Sequence, residues 1–255
     1  SKASGRPIRM TMDYTEELMA ANPRHAAVMT FKTGVKRDGT MTARSAMLLF
    51  DGGAYGAFRP SAAVTYGARC LGPYRIPHGY IDSRVIYTNQ VPGGSMRSPG
   101  DPQSVFAGEA HLDLVAREIG MDPLEFRLNN VVNEGDASPL GREWRTPIVK
   151  TLLETAARES GYTSRSKLPQ PTSPPAKFPR ANLARRTKRG IGFSLCERGT
   201  GGGPCTAEVS IGEDGTVTIH ISLRDTGSGF YTMLRQVAGE VLGVAYDVIE
   251  LKTWS

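Results

Sequence analysis

The sequence predicts an α+β fold of twisted β-hairpins packed with helices, arranged in two lobes that suggest an internal duplication. Three observations carry this prediction. Two runs of alternating apolar residues meet at Lys36-Arg37-Asp38-Gly39, and two more meet at Asp214-Gly215. Asp-Gly between such runs is a strong hairpin signal. Each hairpin then runs into an aspartate and a glycine cluster, Asp51-Gly52-Gly53 in the first and Asp225-Thr226-Gly227-Ser228-Gly229 in the second. Between them, residues 91–130 read as a turn-rich loop feeding two successive helices.

From the N-terminus, alternation of Ile8, Met10 and Met12 predicts a strand over residues 7–13, and Thr15-Glu16-Glu17-Leu18 a short helical turn. Residues 26–35 and 41–50 form the first hairpin. The run from Pro92 through Gly93, Gly94, Ser95, Met96, Arg97, Ser98 and Pro99 to Gly100 can continue neither strand nor helix, so it is a shaped loop. Asp101 then reads as an N-cap with Pro102 at the first helical position. Val105, Gly108, Leu112, Val115 and Ile119 form the stripe expected to face the core, and Asp113 and Arg117 an i, i+4 pair. Gly120 ends this helix, and Asp122-Pro123-Leu124-Glu125 restarts one with a cap, a proline at N1 and a capping-box acid. A further capped helix opens at Thr151-Leu152-Leu153-Glu154 and ends at Gly161. Five prolines between Ser164 and Lys188 mark an extended connector. Strands over residues 207–211 and 216–223 then precede a helix with apolar positions Leu234, Val237, Ala238, Val241 and Leu242. The predicted organisation is a first lobe at 1–162, a basic proline-rich connector at 163–189, and the start of a second lobe at 190–255.

The net charge of +6 is local. Arg165, Lys167, Lys177, Arg180, Arg185, Arg186, Lys188 and Arg189 all lie in the connector, with no acid among them, so the remainder of the chain is slightly acidic. A basic strap can bind phosphate backbones, but this one has only Phe178 as an aromatic, and a solvated or partner-contacting strap is the expectation rather than a nucleic-acid site. Cys70, Cys196 and Cys205 form no CxxC pair, which favours a reducing, cytoplasmic setting. His25, His78, His111 and His220 have no metal-ligand spacing, and no apolar run is long enough to cross a membrane.

Two loops carry candidate chemistry. A shaped loop with an arginine at a helix N-terminus is an anion-friendly entrance, because backbone N–H groups and the helix dipole converge there. The bland reading of the same residues is an exposed Arg97 in an ordinary loop. The second is the strand–glycine turn–helix at Gly227-Ser228-Gly229, where the backbone can approach a ligand closely. It is neither a Walker loop nor GxGxxG, and packing explains such a turn equally well.

Beyond these physical readings, MRSPGDPQSVFAGEAHLDLVAREIGMDPLEFRLNN resembles the signature segment of molybdenum hydroxylases of the xanthine oxidase and aldehyde oxidase type. Arg97, Gly100, Pro102, Gln103, Glu109, Gly120, Asp122, Pro123, Glu125, Arg127 and Asn130 fit its pattern. Gly5-Arg6-Pro7, Lys188-Arg189-Gly190-Ile191-Gly192 and Asp225-Thr226-Gly227-Ser228-Gly229 with Gln236 support it in the family's order. The resemblance implies molybdopterin, in mononucleotide or cytosine dinucleotide form, held between two lobes. It places the Arg97 backbone beside the metal's ligands, with Ser98 and Gly100 in the same loop, and puts Gly227, Ser228 and Gly229 at the pterin. Ser228 replaces a glutamine of the family pattern. Thr65, Pro99, Phe193 and Ser194 fall where relatives line the substrate channel.

Departures from the pattern bear on the substrate. Ser98 stands where carbon monoxide dehydrogenases have a copper-bound cysteine, which disfavours CO oxidation. Thr65 and Pro99 replace an arginine and a stacking phenylalanine of the purine oxidisers. The expectation is a heterocycle, aldehyde or aromatic acyl compound oxidised with oxygen from water. The family's Gly-Gly-Phe-Gly-Gly-Lys segment and its catalytic glutamate are not found in the sequence, so no catalytic residue is assigned here. The chain is expected to be an internal fragment or split subunit that is inactive alone. Its expected partners are the rest of the molybdenum subunit and chains carrying iron–sulfur clusters, with FAD as the further candidate; no nucleic acid or membrane is expected. The alternative is a non-catalytic assembly fragment that binds no cofactor by itself.

Overall fold

The computed structural model describes residues 2–55, 64, 66–138, 141, 143–144, 147–162, 191–197, 204, 206–222 and 225–253. They fall into two compact units, residues 1–197 and 198–255. The whole connector, Thr65 and Cys205 lie outside the described residues.

In the first unit, β1 (Ala27–Val35) and β2 (Met41–Gly53) form the expected antiparallel hairpin. Gly39 turns it at a φ of 83°, and Asp38 Oδ1 accepts the Thr40 N–H at 2.9 Å. Along β2, Arg44, Ala46, Leu48 and Phe50 are buried, the period-2 alternation of a strand with one face on the core; Met41, beyond a register shift, is buried too. A third strand, β3 (His78–Tyr87), which the sequence patterning does not single out, joins β2 in parallel. Helices α1 (Tyr14–Ala20), α2 (Asp101–Glu118), α3 (Pro123–Asn130) and α4 (Val149–Ser160) complete the unit.

The second unit repeats this topology. Strand β4 (Glu208–Ile211) pairs antiparallel with β5 (Val217–Ile221), and β6 (Ile249–Thr253) joins β5 in parallel after crossover helix α5 (Phe230–Leu242). The Asp-x-Gly contacts at the end of β2 and beyond β5 also match. Asp51 Oδ1 accepts the Gly53 N–H at 2.8 Å, and Asp225 Oδ1 accepts the Gly227 N–H at 2.8 Å. Both glycines have positive φ, 68° and 87°. Strand order, pairing sense and turn chemistry together support the duplicated unit.

Several local expectations change in the structure. Residues 7–13 form no strand; Ile8, Met10 and Met12 are at least half exposed, because alternation without a neighbouring strand buries nothing. Asp13 instead caps α1 in a capping box with Glu16. Gly100, at a φ of 87°, is the N-cap of α2; Asp101 lies inside the helix and pairs with Arg69 at 2.5 Å. The buried stripe of α2 is rotated to Ser104, Gly108, Leu112 and Ala116, with Val115 and Ile119 at its margin. Small residues lie at its centre because the backbone comes close there: a Cβ on Gly108 would lie 2.6 Å from the Cys70 carbonyl oxygen. Asp113 pairs with Arg127 at 2.6 Å, across the α2–α3 contact, not with Arg117 on its own helix. Helix α4 starts at Val149 without a side-chain cap, two residues before Thr151. On α5, Leu234 and Ala238 reach the core, while Val237 and Val241 are exposed.

The signature polar residues are structural clamps. Asn130 is buried; its Oδ1 accepts the Met41 N–H, and its Nδ2 donates to the carbonyls of Gly39 and Phe126, each at 2.8 Å. It ties the hairpin turn to α3. Arg127 is fully buried and donates to Glu109 Oε2 at 3.0 Å, to Asp113 Oδ1 at 2.6 Å, and to the carbonyls of Glu109 and Pro123. The Tyr74 hydroxyl completes the cluster by donating to Glu109 Oε1 at 2.9 Å. Asp122 caps α3 through the Leu124 and Glu125 N–H groups and accepts the Tyr162 hydroxyl at 3.1 Å.

Two outcomes are expected. Arg127→Ala strands the buried Glu109 carboxylate and should cost about 3–5 kcal/mol in urea unfolding; a loss below about 1 kcal/mol would show that the cluster does not carry the fold. For Tyr162, burial and then the Asp122 carboxylate push the phenol up to about 12 from 10.0. A folded-state value above the unfolded one stabilises fully below the unfolded value, and this contribution is lost as pH rises through the folded value. The difference in ultraviolet phenolate titration between wild type and Tyr162→Phe should therefore have its midpoint near 12; a midpoint near 10 would mean that neither the burial nor the Asp122 contact is maintained.

Candidate functional site

The loop between β3 and α2 is built from outside itself. Arg24, seventy-odd residues earlier, donates to the carbonyl oxygens of Arg97 at 2.9 Å and Ser98 at 3.1 Å. Asn22 Nδ2 donates to the Pro92 carbonyl at 3.1 Å, and the Gly94 N–H to the Pro23 carbonyl at 2.9 Å. Glycines allow this approach: a Cβ on Gly93 would lie 2.2 Å from His25 Nδ1, and one on Gly94 2.4 Å from Asn22 Cβ. Ser98 adopts a φ of 57°, a left-handed conformation uncommon outside glycine, and it persists because its neighbours hold it.

The arginine clamp has a geometric consequence. The peptide bonds are trans, so C=O and N–H point in opposite directions within one peptide plane. With the Arg97 carbonyl turned toward Arg24, the Ser98 N–H in the same plane is turned away from it. The plane after Ser98 carries no N–H, because Pro99 follows. The Asp101 N–H closes the turn on the Ser98 carbonyl at 3.2 Å, and Ser104 Oγ donates to the Gly100 carbonyl at 2.8 Å.

Behind the loop lies a buried polar cluster. His25 Nδ1 is 2.8 Å from the Asp51 carbonyl oxygen, which can only accept, so Nδ1 carries the proton. A neutral ring then presents Nε2 as an acceptor, and Nε2 is buried without a hydrogen-bond partner. Gln103 Nε2 donates to the His25 carbonyl at 2.8 Å, while its Oε1 is likewise buried without one. The Asp51 carboxyl is held below the usual carboxylate value, first by the Thr88 hydroxyl and then by the Gly53 N–H. Buried polar atoms without partners are uncommon and mark places where a polar group is accommodated.

In the second unit, Asp225 takes the N–H groups of Gly227 at 2.8 Å and Ser228 at 2.9 Å, and that of Tyr231 at 3.5 Å. Burial, the largest single influence, acts to raise its carboxyl, but these N–H groups together outweigh it and the net direction is down. The turn before α5 thus satisfies its own donors with an internal carboxylate. Any ligand would meet the exposed outer side of Gly227, Ser228 and Gly229 rather than those N–H groups.

Most of the residues singled out from the sequence fall in these two loops. Arg97 is exposed, Ser98 and Pro99 are half-buried and Gly100 is buried, all in the first unit. Residues 191–197, expected at the start of the second lobe, run against the first unit: Phe193 and Leu195 pack on its core, and the Leu195 N–H donates to Glu109 Oε2 at 2.9 Å. Phe193 meets the Tyr162 ring edge-on at 4.6 Å, and Ser194 is exposed between two anchored neighbours. Sequence reasoning missed Arg24, Asn22 and His25; only their distance along the chain hid them, since nothing in Asn22-Pro23-Arg24-His25 marks a partner beyond residue 90. Among the described residues, no cluster of His, Cys, Asp and Glu could hold a metal ion, and no helix is long and apolar enough to cross a membrane.

Comparison with known proteins agrees with this architecture. Two family profiles, each described as a molybdopterin cofactor-binding domain, match residues 1–131 and 165–254. An aldehyde oxidoreductase of Megalodesulfovibrio gigas is 32% identical over 99% of this chain and 27% of its own length. The putative xanthine dehydrogenase molybdenum-binding subunit XdhA of Escherichia coli K12 is 31% identical over 96% of this chain and 32% of its own. Among solved structures, quinoline 2-oxidoreductase from Pseudomonas putida 86 superposes with a TM-score of 0.78 at 26% identity, covering 99% of this chain and 33% of that one. The chain thus spans no more than about a third of these relatives. With two cofactor-binding profiles over a duplicated α+β fold, it belongs to the molybdopterin-binding family of the molybdenum hydroxylases, the xanthine dehydrogenase and aldehyde oxidoreductase group.

Proposed function

We propose that this chain supplies part of the molybdopterin cleft of a molybdenum hydroxylase that oxidises a heterocycle, aldehyde or aromatic acyl compound with oxygen from water. The observation that supports it most is the Arg24 clamp, which holds the Arg97 and Ser98 carbonyls from seventy-odd residues away and keeps Ser98 in a strained left-handed turn. Strain maintained by distant contacts at a shaped loop is characteristic of sites that present backbone to a ligand.

The residues fit the group. Molybdopterin is polar and phosphate-bearing, and the loop offers a cationic Arg97 and backbone donors at a helix N-terminus. When bound, the cofactor supplies a metal centre that transfers oxygen from water and takes up two electrons. In the first unit Arg97, Ser98 and Gly100 are the residues that would contact it, and in the second unit Gly227, Ser228 and Gly229 are the candidates for contact with a pterin. Ser228 is short, so its contact would come from a hydroxyl rather than a long amide. Thr65, Pro99, Phe193 and Ser194 would border the substrate. The lobes are taken as 1–162 and 190–255, with 163–189 connecting them; residues 191–197 of the latter stretch pack on the first unit.

The general base that such oxidation requires is assigned to no residue here. Electrons would leave through iron–sulfur clusters, with FAD as the further carrier, on partner chains in the cytoplasm. The pterin would be the mononucleotide or the cytosine dinucleotide.

The test is cofactor content. Protein purified with its native partners should contain molybdenum, by elemental analysis, and pterin, by fluorescence after oxidative release, in equal amounts. Arg24→Ala removes two charge-assisted hydrogen bonds and should lower retained molybdenum about tenfold under dialysis, while the exposed Arg84→Ala control should not. Wild-type protein that carries neither metal nor pterin in its native assembly would overturn the reading in favour of a non-catalytic assembly role.

A further inference from the structure

Glu109 is loaded beyond what its ion pair needs. Arg127 Nε and the Leu195 N–H both donate to Oε2, at 3.0 Å and 2.9 Å, and the Tyr74 hydroxyl donates to Oε1 at 2.9 Å. The carboxylate is 93% buried, and Arg127 and Tyr74, both buried, allow it no other orientation. Its third partner comes from outside the helical frame, from residues 191–197, which carry no regular secondary structure.

That stretch is tied again two residues earlier. Phe193 seats on the edge of Tyr162, whose hydroxyl donates to Asp122, the cap of the helix that carries Arg127. Burial over 193–195 runs half-buried, exposed, half-buried, the alternation of an extended chain pinned on one side. Ser194 is therefore turned outward because its two neighbours are held inward.

We propose that Glu109 is a positioning residue. Its carboxylate fixes residues 191–197 against the first unit and so sets where Phe193 and Ser194 stand beside the substrate. The substrate half of this statement rests on the functional reading above; the anchoring half does not.

Glu109→Gln separates the two. The amide retains one acceptor oxygen and turns an NH2 toward donors, so Arg127, Tyr74 and Leu195 can no longer all be satisfied. Hydrogen exchange of the full chain should show the Leu195 amide opening about tenfold to a hundredfold faster, with the β1–β2 ladder unchanged. In the molybdenum-loaded enzyme, assayed with benzaldehyde and with quinoline as probes and a dye acceptor, KM should rise at least about threefold with kcat within about twofold. Leu195→Pro removes the N–H and leaves the Glu109 carboxylate and its other partners in place. It should reproduce the KM change beyond that of Leu195→Ala, which loses the same core packing but keeps the N–H.

Unchanged exchange at Leu195 in Glu109→Gln would overturn the proposal, as would faster exchange spread equally over the ladder, which is general loosening. Faster exchange confined to residues 191–197 with KM unmoved would overturn the link to substrate. A loaded wild-type enzyme that turns over neither probe counts against the substrate reading, and the exchange result alone then decides the anchoring.

Discussion

A buried charge has to be matched where it stands, and the first unit depends on that requirement being met at Arg127. The guanidinium has no access to solvent and draws on two carboxylates and two carbonyls. A buried arginine left unmatched would cost several kcal/mol, so the elements that supply its partners are held to one arrangement. Helix α2 contributes Glu109 and Asp113, and the start of α3 contributes Pro123. Tyr74 and Leu195 then attach to Glu109, which brings two further segments to the same point. The loop that carries Arg97 enters α2 from its N-terminal end, two turns before Glu109. Its distance from the core is thereby set by the same cluster that sets the position of Phe193.

Both units solve one local problem in the same way. Near the C-terminal end of each central strand stands an aspartate, followed two residues on by a glycine whose N–H needs an acceptor. Asp51 and Asp225 provide it, and the glycine takes positive φ. The consequence differs in the two. In the first unit the turn packs under the Pro92-Gly93 backbone, where a Cβ on Gly53 would lie 2.5 Å from Pro92 Cα. In the second, Gly227, Ser228 and Gly229 remain exposed. The same local turn can thus serve as a buried support in one unit and as an open surface in the other.

Much of the local structure was legible because its causes are local. The Asp-Gly turns, the Gly120 break and the Asp122-Pro123 restart depend on residues within a few positions of one another. Two of the errors share one cause. Asp101 has the chemistry of an N-cap, but Arg69 claims its carboxylate; Asp113 has the spacing for Arg117, but Arg127 claims it. In each case a partner that sequence spacing cannot place displaced the nearer one, since a buried or well-aligned ion pair outweighs an exposed i, i+4 pair worth a few tenths of a kcal/mol.

By itself the sequence determined the hairpins, the glycine turns, the order of helices and the family pattern spread over nearly the whole chain. It also placed Arg97 in a loop that could be neither helix nor strand. Tertiary structure decided how that loop is shaped. The clamp from Arg24, the glycine contacts with Asn22 and His25, and the parallel third strand of each sheet all join residues far apart in the chain. Such contacts leave no periodicity to read, because the free energy that selects them arises only when separate segments exclude water together. The strained turn at Ser98 is the clearest case: a serine is an unexpected residue at positive φ, and only the surrounding fold holds it there.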